Sequence, residues 1–136
     1  MPQAANPVEP EHAERFEQFL LQWQEKLNLK DWRINLSPVR HKGVMAVVYK
    51  MDFEQRQATI RLGFDFGSDA VDDVSLEATA LHELLHIMLC ELMELAKEAS
   101  TQGDPLRSAE HRVINTLERL LVLEKISHGE TRPQRK

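Results

Sequence analysis

Thr79-Ala80-Leu81-His82-Glu83-Leu84-Leu85-His86-Ile87-Met88-Leu89 is the stretch on which the reading of the chain turns. It contains no glycine or proline and carries four leucines and an alanine, residues that lose little on entering a helix. On a helix His82 and His86 lie one turn apart on the same face, so both imidazoles can reach one ion. Zinc takes nitrogen ligands at about 2.0–2.1 Å, and this spacing offers two of them without backbone strain. Glu83 is offset around the helix, where it can hold a water beside the ion and take its proton rather than bind the ion. The bland alternative is a core histidine pair satisfied by hydrogen bonds. Ala78, Ala80, Leu81, Leu84 and Leu85 make an apolar setting that tolerates the pair only if the ring nitrogens find partners.

Around this stretch the helical pattern covers 75–100 throughout, with acidic residues near its start that complement the helix dipole. Gly103-Asp104-Pro105 breaks the chain, and Asp104 as cap with Pro105 at the first helical position starts a last helix bearing Leu106, Val113, Ile114, Leu117, Leu120 and Leu121. Upstream, Ala13, Phe16, Phe19, Leu20, Trp23 and Leu27 recur at helical spacing in a first amphipathic helix that ends near Asn28. Three stretches then read as strands. Residues 31–37 alternate with Trp32, Ile34 and Leu36 on one side; 44–49 form a β-branched apolar run; 58–64 alternate again. The polar link 52–56 suits an antiparallel hairpin with a longer loop. The expected fold is therefore α+β: an N-terminal helix, a three-stranded mostly antiparallel sheet, the two-histidine helix and a C-terminal helix. One domain over 9–128 is expected, with flexible termini at 1–8 and 129–136.

A catalytic zinc site needs a third protein ligand and an open position. The last helix offers Glu110 and His111. Glu110 is nearer the centre of that helix's apolar stripe, where an acid requires a partner, and His111 lies on its flank, with Asn115 one turn further on as a group that could orient a ligand. Either residue could instead be a solvated side chain.

The two-histidine motif after a strand hairpin, followed by Ala109-Glu110-His111-Arg112-Val113-Ile114-Asn115-Thr116-Leu117, resembles the small phage and prophage metallopeptidase-like proteins of the minimal gluzincin type. The ImmA/IrrE peptidases are distant relatives in the same broad group. The resemblance spans roughly Trp32 to Leu121 and implies a zincin-like fold, one zinc ion held by His82 and His86, and Glu83 as the catalytic base. Such proteins place an acidic third ligand on the next helix, four residues before an asparagine or aspartate. Counting back from Asn115 puts His111 at that position, where the group usually has glutamate; Glu110 is the alternative.

Composition bounds the rest. The 136 residues are 42% hydrophobic and 29% charged, an ordinary globular balance, and the formal net charge of -5 argues against nucleic-acid binding. The one basic cluster, 132–136, reads as a frayed terminus. Cys90 is the single cysteine, which excludes an intrachain disulfide or a thiolate-rich metal site, and it reads as a small buried hydrophobe. No leader pattern or membrane span is evident, so cytoplasmic residence is the default. Trp23 and Trp32 read as core anchors, His12, His41 and His128 as solvated, and Glu91, Glu94 and Glu98 as a solvated face. Tyr49 is either core with a wet tip or a donor to a developing oxyanion.

The expected function is a zinc metallopeptidase acting on a peptide or protein, with the strand at 58–64 as the edge that receives it. The rivals are a non-catalytic zinc-stabilised binding or regulatory protein and a phage accessory protein with a vestigial site. Substrate and oligomeric state are open.

Overall fold

A computed structural model describes residues 5–99 and 103–127, and the expectations for 1–4 and 128–136 lie outside these residues. The chain runs α1 (Pro10–Lys26), β1 (Arg33–Leu36), β2 (Ala46–Asp52), β3 (Gln57–Leu62), α2 (Asp73–Met88), α3 (Cys90–Ala99) and α4 (Gly103–Ser127), an α+β order.

Helix α1 starts where proline at the first position costs no hydrogen bond, and Glu9 and His12 close a reciprocal cap in which the Glu9 N–H donates to His12 Nδ1 at 2.9 Å. Its apolar stripe of Phe16, Phe19, Leu20 and Trp23 is buried. Asn28, with φ 58°, then turns the chain in the left-handed region that asparagine tolerates.

The three strands lie in the order β1-β3-β2. Strands β2 and β3 form the expected antiparallel hairpin, and β1 joins β3 in parallel, Arg33 beside Gln57 and Leu36 beside Ile60, so the sheet is mixed. Ala58, Ile60 and Leu62 are buried toward the helices, while Gln57, Thr59 and Arg61 take the other face. Gly63 continues β3 into a crowded place: a Cβ there would meet the Val44 carbonyl oxygen at 1.8 Å, so glycine is what lets the 44–45 segment close over the strand end.

Two expectations change. Asn6 to Val8, within the supposedly flexible start, are tied to the turn after β3: the Asn6 N–H donates to the Gly67 carbonyl and the Val8 N–H to that of Phe64. The single long helix is instead two. Helix α2 starts at Asp73, capped by Asp72, whose carboxylate accepts the Ser75 N–H while Ser75 answers the Asp72 N–H, and it ends at Met88, with Leu89 as its C-terminal cap. Helix α3 follows at once and turns Cys90 and Met93 inward. No glycine or proline marks the break, and Leu92 and Leu95 are apolar but exposed, so the sequence periodicity carried no sign of the change in direction.

One hydrophobic cluster joins α1, the helix-side residues of β3, α2, Cys90 and Ile114 of α4. Trp23 and Trp32 are buried in it, as expected. Glu77, buried in α2, accepts the Trp23 indole N–H at 2.7 Å, which satisfies a carboxylate that would otherwise be costly there.

Candidate metal centre

Helix α2 turns two faces to the molecule. Asp73 binds Arg15 at 2.9 Å and Glu77 binds Trp23, so the face continued by Ala80 and Leu84 lies on α1. His82 and His86 occupy another face, toward α4, partly exposed. The His82 and His86 ring centroids are 5.1 Å apart. His111 of α4 completes a triangle, 5.9 Å from His82 and 4.9 Å from His86. A ligand nitrogen from each of the three lies within 4.8 Å of the others.

Helix α4 also supplies two carboxylates. Glu118 Oε1 lies 2.8 Å from His82 Nδ1, and Glu110 Oε2 lies 3.1 Å from His86 Nδ1. An ionised carboxylate only accepts, so in the neutral imidazole each pairing favours the proton on Nδ1 and leaves the lone pair on Nε2. Both Nε2 atoms are thereby prepared to bind a metal, the arrangement in which a carboxylate orients a ligating histidine. Three imidazoles suit zinc, and of the three His111 is the exposed one.

Of the two third-ligand candidates, His111 is the one that joins the nitrogen cluster, and Glu110 stands behind His86 with its side chain only 11% exposed. The apolar stripe located Glu110 well, but its partner is a histidine. Asn115 is exposed and makes no side-chain hydrogen bond among the described residues. The residue that orients His82 is Glu118, which the sequence reading passed over. Its signal was present: seven residues after His111 is two turns on the same face.

Glu83 is 6% exposed, and its carboxylate accepts the backbone N–H of Val48 in β2. Burial pushes its pKa up to about 7, against the pull of His82 and of the Val48 hydrogen bond. The hydrogen bond to Glu118 raises the His82 pKa, whereas burial lowers that of His86 despite Glu110.

Strand β2 forms the other wall. Two clefts meet at His82 and Glu83. One, of about 670 Å³, runs toward the start of α2 between Val44, Met45, Val74 and Ala78. The other, of about 490 Å³, runs toward α3 and holds His86 and His111 with Lys97 and Arg107.

This geometry overturns the assignment of 58–64 as a receiving edge, because β3 is central and paired on both sides. Sequence alternation shows which residues face the core but not which strand is outermost. Strand β2 is the edge at the site. The Gly63 N–H donates to the Met45 carbonyl at 2.7 Å, so Met45 and Val47 turn their peptide groups to β3, whereas Ala46 and Val48 turn theirs outward.

Tyr49 lies away from the site, 44% exposed on the far sheet face with the Arg61 guanidinium 3.4 Å from its ring centroid, which removes it as an oxyanion donor. His41 packs near Tyr49, 6.2 Å between ring centroids, and His128 is outside the described residues. Cys90 is buried, with burial raising its thiol pKa, and Glu94 lines the second cleft. No helix among the described residues is long and apolar enough to cross a membrane. Compared with protein-family profiles, curated protein sequences and solved structures, the chain matches none.

Proposed function

We propose that the protein is a zinc-dependent metallohydrolase that cuts peptide bonds, with His82, His86 and His111 as ligands and Glu83 as the general base. The observation that carries this reading is the pairing of a three-imidazole cluster with a buried carboxylate whose pKa is raised to about 7. Three protein ligands leave a position open, as catalytic rather than structural zinc sites do.

Zinc held there would supply Lewis acidity, polarising a carbonyl and making water a stronger acid. The residues do the rest. Glu110 and Glu118 keep the imidazoles of His86 and His82 in the tautomer that presents Nε2. Glu83, with a pKa near neutrality, is matched to take the proton of the attacking water and return it to the departing amine. The outward peptide groups of Ala46 offer an extended substrate main-chain hydrogen bonds beside Glu83.

Metal analysis and a peptide-library digest test the reading together. The expected result is one zinc per chain, a Glu83→Gln variant that keeps zinc but loses about 10²–10⁴-fold in hydrolysis, and a His82→Ala variant that loses the metal. Zinc absent after reconstitution at neutral pH sinks the proposal. A His82→Ala variant that unfolds, from a parent that cuts no peptide, favours a zinc-stabilised binding protein.

A further inference from the structure

The two clefts that meet at Glu83 differ in chemistry, and the difference bears on what a substrate must carry. Cleft walls formed by Val44, Met45, Val74 and Ala78 are apolar, and at about 670 Å³ the space exceeds what one side chain fills. Ser75 and Thr79 are its neutral polar lining, Glu83 and His82 belong to the metal centre at its inner end, and the other charged groups are all acidic. Asp69 and Asp72 stand at the end remote from the histidines, Glu118 at the near end, and no lysine or arginine lines it. Arg15, a cation of the neighbouring helix, is held by Asp73 at 2.9 Å.

The carboxylates are not equivalent. Glu118 is engaged by His82, and Asp72 accepts the Ser75 N–H at the start of α2, where the helix dipole offsets part of its charge. Asp69 is exposed, and its carboxylate makes no hydrogen bond or ion pair among the described residues. An apolar channel ending in uncompensated negative charge complements a side chain with an aliphatic stem and a cationic tip. The second cleft gives no such bias, because Lys97 and Arg107 there stand with Glu94 and Glu110.

We propose that the cleft between β2 and the first half of α2 selects a lysine or arginine side chain of the substrate, at a residue flanking the bond that is cut. The selection rests on the hydrolase reading above. The stem packs on Val44, Met45, Val74 and Ala78, and the cationic tip reaches Asp69 and Asp72. A peptide paired with the outward groups of Ala46 sends alternate side chains to the helix side of the sheet, where this cleft opens.

N-acetyl amino-acid hydroxamates separate the selection from catalysis, because each joins a zinc-chelating group to one side chain. Zinc-loaded Glu83→Gln protein is titrated calorimetrically with the lysine, norleucine, alanine and glutamate compounds. Norleucine is expected to bind about tenfold tighter than alanine through buried methylene groups. Lysine is expected to exceed norleucine by about fivefold, the scale of an exposed ion pair, with glutamate below both. Asp69→Asn removes the lysine advantage and leaves the norleucine-to-alanine ratio unchanged. Equal binding of all four compounds, norleucine above lysine, or a lysine advantage that survives Asp69→Asn each overturns the selection while the metal site stands. Failure of every compound to bind the zinc-loaded protein overturns the selection and the hydrolase reading together.

Discussion

The two faces of α2 are held by different physics. Toward α1 the contact is mainly apolar, with Phe16, Phe19, Leu20 and Trp23 of α1 all buried around the two polar contacts Arg15–Asp73 and Trp23–Glu77. Each such side chain stabilises the fold by about 1.5–3 kcal/mol when removed from water, independently of any ion. Toward α4, over residues 105–122 of that helix, Ile114 is fully buried and Leu117, Leu121 and Val122 are partly buried against the core, while the polar attachment is His82 to Glu118 and His86 to Glu110. Such pairs are oriented and titratable but add little net stability, since their desolvation cost offsets much of their attraction. One side of the motif helix is a foundation and the other is an adjustable jaw. Stability and metal binding are therefore expected to respond to different substitutions.

The largest effect on stability is expected on the α1 side. Leu84 is fully buried on the α1-facing side of α2, between the two histidines in sequence but not on their face. Leu84→Ala is expected to cost about 2–5 kcal/mol in urea unfolding, with or without zinc in the protein. Zinc bound per folded chain stays unchanged. A variant that loses zinc while keeping its unfolding midpoint would show that the faces are not separate.

Next comes a cost of the site itself, visible in metal-free protein. The Glu83 pKa rises from 4.5 to about 7 on folding, so between those values the folded state holds the proton more firmly than the unfolded chain. Stability is then fully retained below pH 4.5 and falls as the pH rises toward 7. Glu83→Gln, which cannot ionise, removes that loss and is expected to stabilise the stripped protein at pH 8 by up to roughly 3 kcal/mol, with no gain at pH 4.5. Thermal unfolding at the two pH values checks it. An equal effect at both would assign it to packing.

The same division explains what the sequence could reveal. The α1 contact and the buried face of β3 follow from period, because apolar burial recurs at fixed spacing: Phe16, Phe19, Leu20 and Trp23 in the helix, Ala58, Ile60 and Leu62 in the strand. His82, Glu83 and His86 were legible for a related reason, being set by spacing within one helix. What crosses between elements was harder. Whether His111 or Glu110 meets the histidines depends on how α4 rotates against α2, and which strand is the edge depends on sheet order. Glu118 was missed because its spacing of seven from His111 carries meaning only once His111 is known to face α2, and the rotation of α4 decides that.

Glu118 and Glu110 give the finest test of the jaw. Each touches a histidine through Nδ1, so neither needs to contact the metal to affect it. Glu118→Gln keeps size and hydrogen-bonding capacity, but its amide can donate to Nδ1 as readily as accept from it, which loosens the tautomer and makes the imidazole less basic. Zinc affinity is expected to fall about 10–100-fold for Glu118→Gln and likewise for Glu110→Gln, equivalent to about 1.4–2.7 kcal/mol, measured by competition with a chromophoric chelator. Unfolding of the stripped variants is expected to move far less than for Leu84→Ala, because the helix still rests on Ile114. If the carboxylates were only latches joining α4 to α2, the stripped protein would lose stability and the zinc affinity of the folded chain would not change. A loss confined to zinc affinity assigns them instead to the orientation of His82 and His86.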